Sequence, residues 1–563
     1  MRDAPAISAA PALASAAPAP AGRRRAGERA AAAPGISRSG VALALAAGAL
    51  TSLSRVPFRS HSLFAWDSAN FALALDHYNV AFHQPQPPGY PLYVAAARVV
   101  RLVLHDANAS YVALSIVASG LAVTFLMLAA ERLYGRLTAL LAGTLLATSS
   151  VFWSQGEVAY PYAFLACWSA LVAWLATLSL GTAREAGGRP ELVVAGGLLI
   201  GLAGGFRTEL VPFLLPLWLY GALGGPGSRR RRLAAVAAGL VAMGGAIAAW
   251  YVPMVQLSGG FAAYQQATGS YYTYFIETTS GAGKLLLGLL ENTRAVVGYL
   301  YNGLGLALVP AIYYLGRFFA PQHIVTDRRV RLLLLWLAPP LAFYVTVHIG
   351  NPGYVLSLLP ALCIYTAQAI LGMLDDVREA AGLATERGWA ATGVFGAARG
   401  RGWILPAAWL VAGAIALSNT ALFLTANGEG RYKEIRQIDQ IFARQLPFIR
   451  AQYPPASTLL VAYDRSRQYH YYLPEYKIEL LFNVAVAGAV TDTSRYWERR
   501  TTYVVPAGIT AVIFPDLGRN TSDEPGLVQR IDLGGGVDLY VARVQAGDEV
   551  RYGYQYASAT RRS

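Results

Sequence analysis

Charge is what this 563-residue chain has least of: Asp, Glu, Lys and Arg together make up 14% of it, while 55% is hydrophobic. An ordinary soluble domain carries roughly 25% charged residues. The shortage excludes a soluble globular domain and points to a polytopic membrane protein. Cysteine is nearly missing too. Cys167 and Cys363 each sit inside an apolar stretch, so the sequence supports neither a disulfide framework nor a thiolate metal site. No H-x-x-x-H pair and no carboxylate run has metal-ligand spacing. No internal repeat of the kind that marks many transporters is visible. The net charge of +14 does not indicate nucleic acid, because no aromatic-basic reader motif accompanies it. The arginines fall instead in short runs between apolar segments, as orientation signals do.

Apolar stretches occur at 39–56, 109–130, 137–153, 160–180, 192–206, 210–223, 233–255, 295–319, 332–348, 354–374 and 403–426. A crossing helix needs about 20 residues, so the count of crossings is about eleven, with 192–206 and 210–223 short. Residues 91–104 are apolar but carry Arg98 and Arg101. Each central arginine costs roughly 2.5–3.5 kcal/mol on insertion scales, so this stretch is expected to lie in the interface. With it out of the count and the N-terminus inside, Arg132/Arg136, Arg184/Arg189, Arg229 to Arg232, Arg328/Arg329/Arg331 and the arginines between 378 and 401 all face the cytoplasm. Residues 1–38 are Ala, Pro, Gly and Arg and read as a disordered cytoplasmic tail.

The same parity sends the polar loops to the outer face. These are the first loop, 57–108, with Asp67; the turn at 154–162 with Glu157 and Tyr160; Arg207 to Glu209; the long loop at 258–294; and 348–354. After 426 the composition turns mixed. An amphipathic helix at 431–453 and strands at 458–463, 478–482, 511–515, 528–533 and 537–544 predict an extracytoplasmic α/β domain over 427–563, with a hairpin around Gly534, Gly535 and Gly536.

Asp67 precedes an amphipathic run, so a helix N-cap is the bland reading of it. Glu157, at the outer end of another crossing, changes the weighing: topology brings two carboxylates to one membrane face. Arg207 stands at the end of a crossing, where a guanidinium matches phosphate oxygens in bidentate fashion; Lys284 and Arg294, bordering the long loop, are alternatives. For all three the bland reading is an interfacial, snorkelling cation. His83, Tyr160, His348 and Tyr354 are candidates for substrate contact.

The order W-D-S-x-x-F at 66–71, P-P-G-Y-P-L-Y at 87–93 and F-W-S-Q-x-E-V-x-Y at 152–160 resembles the C-type (GT-C) superfamily of integral-membrane glycosyltransferases. It is most similar to the protein O-mannosyltransferase-like and aminoarabinose-transferase-like branches. H-I-G-N-P-G-Y-V-L-S-L-L-P at 348–360 is similar to their late outer-loop motif. The resemblance implies a fold of about eleven crossings and a polyprenyl-phosphate-linked sugar donor. It makes Asp67 the general base toward an acceptor hydroxyl or a metal ligand, and Glu157 a second acid beside it. A divalent metal ion stays open on those two alone. Where relatives commonly place His directly before the Pro pair, this chain has Gln86.

The expectation is therefore a glycosyltransferase of a bacterial cytoplasmic membrane. It would pass sugar from the lipid-linked donor to a cell-envelope lipid, glycan or protein on the outer face, with membrane lipids around it and no nucleic acid partner. The rival is a transporter or flippase of a polyprenyl-linked glycolipid. Against it, the acids gather at the membrane boundary rather than at the midplane.

Overall fold

The computed structural model describes residues 37–181, 189–278, 285–380, 403–462, 464–480, 502–516, 528–552 and 557–560. The tail at 1–36 and Lys284 lie outside them. Chain order begins with α1 (Arg38–Arg55), α2 (Trp66–Asp76), α3 (Pro91–Leu104), α4 (Ala107–Tyr134), α5 (Arg136–Thr148), α6 (Ser150–Gln155) and α7 (Tyr162–Leu180). It continues with α8 (Pro190–Gly204), α9 (Leu210–Gly224), α10 (Arg229–Leu257), α11 (Phe261–Thr278), α12 (Leu285–Leu304) and α13 (Leu308–Phe318). Then come α14 (Pro321–Thr326), α15 (Arg328–Thr346), α16 (Leu359–Ala380), α17 (Ile404–Thr425) and α18 (Tyr432–Gln452), before a C-terminal unit of strands with α19 (Ser466–Tyr472).

Seven helical stretches among the described residues are long and apolar enough to cross a membrane: α1, α4, α7, α10, α12 with α13, α15 and α17. Helices α5, α8 and α9 are apolar but shorter. The expected crossing at 137–153 is broken at Ser149, whose hydroxyl caps α6. The one at 295–319 is broken at a 3-10 turn where Gly305 has φ 55°. The expected start at Tyr354 falls in a 3-10 turn, Pro352–Ser357, before α16. Each break has a local cause: Ser prefers a cap to a helix interior, and glycine permits a left-handed backbone.

Helix α3 has the bounds the sequence predicts. Its two arginines are absorbed by the end of α2. Arg98 donates from Nε to the Leu75 carbonyl at 3.0 Å and from Nη2 to the Ala74 carbonyl at 2.9 Å, and Arg101 pairs with Asp76 at 2.7 Å. These are carbonyls and a charge that a helix C-terminus leaves without partners. The opposite face leaves Val99, Leu102 and Val103 exposed, as an interfacial helix would.

In the C-terminal unit β1 (Thr458–Ala462), β2 (Lys477–Leu480), β3 (Thr502–Val504), β4 (Ala511–Phe514), β5 (Val528–Asp532), β6 (Asp538–Arg543), β7 (Glu549–Tyr552) and β8 (Ala557–Thr560) form two sheets. The larger has the order β2-β1-β4-β6-β5, with β1 parallel to β2 and β4; the smaller has the order β3-β7-β8. The hairpin around the glycine triplet is β5–β6, antiparallel. One buried apolar cluster runs from α4, α5, α7 and α16 through Phe64 and Tyr160 into Ile435, Phe442, Leu460, Tyr469 and Ile513. The C-terminal unit thus shares its core with the membrane helices.

Helices α8 and α10 meet backbone to backbone. A Cβ on Gly197 would collide with the Gly239 carbonyl, and one on Gly201 would stand 2.6 Å from the Met243 carbonyl. This is the small-xxx-small contact of membrane helix pairs. Gly197→Val is expected to lower stability by about 1–3 kcal/mol, as overpacking does. Gly413→Ala in α17, where nothing lies within 4 Å, should be neutral or slightly stabilising. Thermal unfolding of both variants in lipid nanodiscs checks this.

Candidate active site

Helix α2 begins at Trp66 with Ala65 as its N-cap, and Ser68, not Asp67, turns back to the cap backbone. The helix-cap reading of Asp67 is therefore incorrect. Its carboxylate sits in the first turn, partly accessible, with Arg207 as its charged neighbour and the Gln86 carboxamide beside it. Gln86 is buried, and beyond the Asp67 carboxylate its amide meets no hydrogen-bond partner among the described residues. The turn that delivers Gln86 ends at Gly89, φ 116°, where a Cβ would stand 2.6 Å from Met254 Sδ, so only glycine fits.

Arg207 lies in the tight connection between α8 and α9 and is 4% exposed. It pairs with Glu209 at 2.5 Å. Its guanidinium carbon lies 4.8 Å from the Tyr162 ring centre, 4.7 Å from that of Tyr354 and 5.7 Å from that of Tyr90. Three faces of a desolvated cation are thereby covered by rings, each contact worth about 0.5–2 kcal/mol. Tyr162 and Tyr354 also touch each other at 5.5 Å, and Tyr160 meets Tyr162 at 5.2 Å. His348 stands edge-on to Tyr354 at 5.9 Å. Arg207 Nε has no hydrogen-bond partner among the described residues.

A residue not anticipated from the sequence joins this group. Glu429, exposed in the turn between α17 and α18, accepts from Asn351 Nδ2 at 2.5 Å. Asn351 Oδ1 in turn accepts from Gly353 N at 2.7 Å, capping the turn that presents Tyr354. Tyr160 bonds to Glu429 as well, and the Asp67 charge acts on it. Glu209 is the carboxylate paired with the Arg207 guanidinium, Asp67 feels its charge, and Glu429 is coupled to Asp67. No local motif marks Glu429. The polar G-E-G-R at 428–431 after an apolar run is the one signal in the sequence, and it reads as a linker.

Glu157 is not in this group. It is fully buried in the turn after α6, next to Arg55 and Trp153. Arg55, 1% exposed, lies 4.4 Å over the Trp153 ring, and its Nη2 donates to the Ala147 carbonyl at 2.6 Å. Glu157 is the charged neighbour of Arg55, and burial raises its carboxyl well above the ordinary carboxylate range. The predicted pairing of Asp67 with Glu157, and a metal site on those two alone, is corrected accordingly. Among the described residues no three His, Cys, Asp or Glu side chains converge on a point. His83 is buried against Tyr271, its rings 5.7 Å apart, on the side of α19. Arg294 is an exposed side chain of α12. Tyr160, His348, Tyr354 and Arg207 are all brought to Asp67; Glu157, His83 and Arg294 are not.

Burial pushes the Asp67 carboxyl up to about 6, with Arg207 and Gln86 holding it back. Burial raises Glu429 too, and the Asp67 charge adds to that while Asn351 and Tyr160 oppose it. Burial and then Arg207 keep the His348 imidazole below its ordinary value. At neutral pH the site thus holds an ionised Asp67, close to its titration range, beside a permanent cation and a neutral imidazole.

Residues 67–223 match the family model described as the protein O-mannosyl-transferase TMEM260 N-terminal domain. That stretch starts at Asp67 and includes Arg207 and Glu209. The structure of ArnT from Cupriavidus metallidurans bound to undecaprenyl phosphate is similar with a TM-score of 0.56 at 15% identity, covering 90% of this chain and 99% of that one. The chain shares its overall fold with that ArnT structure. The apo structure of the same ArnT matches this chain at a TM-score of 0.53 and 14% identity, covering 90% and 98% of the two chains. No curated protein sequence matches.

The raised Asp67 carboxyl has a consequence for stability. Between its unfolded value of 3.8 and about 6, folded Asp67 keeps a proton that the unfolded chain has released. Stability falls as pH rises through that window. Asp67→Asn should therefore stabilise the protein at pH 7.5, by up to about 3 kcal/mol, and do so far less at pH 4. Unfolding temperatures at the two pH values test the sign.

Proposed function

We propose that the chain is a membrane glycosyltransferase that moves a sugar from a polyprenyl-phosphate donor to a hydroxyl of a cell-envelope lipid, glycan or protein. In this reading the Asp67 face and the unit after 426 lie outside a bacterial cytoplasmic membrane, with the N-terminus inside. The observation that carries it is the apposition of a partly accessible Asp67, with a carboxyl raised to about 6, to a buried, tyrosine-caged Arg207. The ArnT structure with the same fold holds undecaprenyl phosphate, which supports a lipid-phosphate carrier.

A sugar on a lipid phosphate already carries its leaving group. The acceptor oxygen attacks the anomeric carbon, the bond from that carbon to the phosphate oxygen breaks, and the electron pair leaves with the phosphate. A single displacement of this kind inverts the anomeric centre. Asp67 takes the hydroxyl proton, a task worth about 10²–10⁴-fold in rate. Its value near 6 keeps it ionised at neutral pH and makes it a stronger base than an ordinary carboxylate. The unfilled Nε edge of Arg207 is placed for the phosphate, the Gln86 amide for a sugar or acceptor hydroxyl, and the tyrosine faces for the sugar ring. Glu429, tied to Tyr160 and Asn351, supports the Asp67 side of the site.

Purified protein in lipid vesicles, given a panel of radiolabelled polyprenyl-phosphate sugars and membrane extract as acceptor source, should transfer label. Asp67→Asn should cut transfer by about 10²-fold or more with donor binding preserved. Arg207→Lys should weaken it by at least about tenfold, since an ammonium cannot reproduce the planar contacts. Undiminished transfer by Asp67→Asn would remove it from the chemistry, and donor binding without transfer to any acceptor would favour the flippase.

A further inference from the structure

The C-terminal unit, with α18, holds the first loop at several places, three of which lie between His61 and His83. Asp439 Oδ1, on α18, accepts from the backbone nitrogens of His61 at 3.0 Å and Ser62 at 2.9 Å and from the Ser62 hydroxyl at 2.6 Å. The Tyr472 hydroxyl accepts from Leu63 N at 2.8 Å. The third contact is the deepest. Arg467, on α19 and 2% exposed, donates from Nε to Asn70 Oδ1 at 2.6 Å and from Nη2 to the carbonyls of Phe82 at 3.0 Å and His83 at 2.9 Å.

What Arg467 joins is specific. Asn70, fully buried, stands one helical turn beyond Asp67 in α2. His83 sits at φ 54°, a left-handed corner that a non-glycine residue holds only when its surroundings impose it, and from that corner the chain runs on to Gln86 and Gly89. One guanidinium therefore ties the helix that carries Asp67 to the turn that carries Gln86. Burying a cation is a weak way to gain stability but an effective way to fix direction, because a planar fork with five donors can bond two elements at set angles. A lysine lacks that fork.

We propose that Arg467 is a positioning residue through which the C-terminal unit sets the geometry of the active-site loop, by bridging Asn70 to the carbonyls of Phe82 and His83. The unit is then a working part of the site, and its removal would disorder Asp67 relative to Gln86 and Arg207. The activity side of this inference rests on the transferase reading; the structural side does not.

Hydrogen–deuterium exchange on the full-length protein in nanodiscs tests it. In Arg467→Lys and Arg467→Met, amides over 66–89 should exchange at least tenfold faster, while β1, β4 and β6 keep their protection. Unchanged exchange over 66–89 overturns the proposal. If Arg467→Met also loses protection in the sheet, Asn70→Ala decides, because it cuts the same bridge from the loop side: a faster loop with a protected sheet supports the proposal and an unaltered loop defeats it. In the transfer assay, Arg467→Lys should lower kcat at least tenfold with the donor KM within about twofold; a change confined to KM would overturn positioning. Absence of transfer by the wild type would refute the transferase reading and leave the exchange result standing.

Discussion

A guanidinium almost cut off from water at the end of a membrane helix is the constraint on which the candidate site depends. Arg207 loses most of its hydration, and every neighbour that the fold brings to it answers that loss. Glu209 pairs with it, three tyrosines cover its faces, and Asp67 approaches from α2. Those neighbours come from the first loop, the start of α7, the α8–α9 connection and the turn before α16. The cation therefore works as the meeting point of four distant stretches of chain. Remove it, and Glu209 would lose its ion-pair partner and Asp67 the charge that holds its carboxyl down.

Two buried arginines divide the acids between them. Glu157 lies beneath the surface as the charged neighbour of Arg55, while Arg207 pairs with Glu209 and is the charged neighbour of Asp67. Both pairs follow one rule, that a buried charge is tolerated only beside its opposite. Their outcomes differ through exposure. Glu157 is sealed, whereas Asp67 and Glu429 keep a face toward solvent.

The C-terminal unit enters the same logic. Its apolar core is continuous with that of the membrane helices, and its polar side chains satisfy backbone groups that the first loop cannot satisfy by itself. The loop makes turn bonds of its own, such as Asn79 N to the Gln84 carbonyl, but the carbonyls of Phe82 and His83 are met by Arg467. Partners from α18 and α19 convert it from a surface excursion into a fixed wall of the site.

Much of the architecture was legible in the sequence, because composition and the 20-residue apolar run respond directly to the bilayer. The apolar helices in outline, α3 with its two arginines and the five strands of the larger sheet follow from residue type and spacing along the chain; the small β3-β7-β8 sheet does not. Which acid stands beside Asp67 does not. Glu157 and Glu429 both lie at the end of an apolar stretch, and no local pattern separates them. Packing decides: the turn after α6 points its acid inward to Arg55, and Asn351 and Tyr160 hold the acid after α17 at the site. The reach of Arg467 back to Asn70 is equally invisible along the chain. It is a contact across 397 positions, set by how a sheet domain docks on a loop, and only the tertiary structure could decide it.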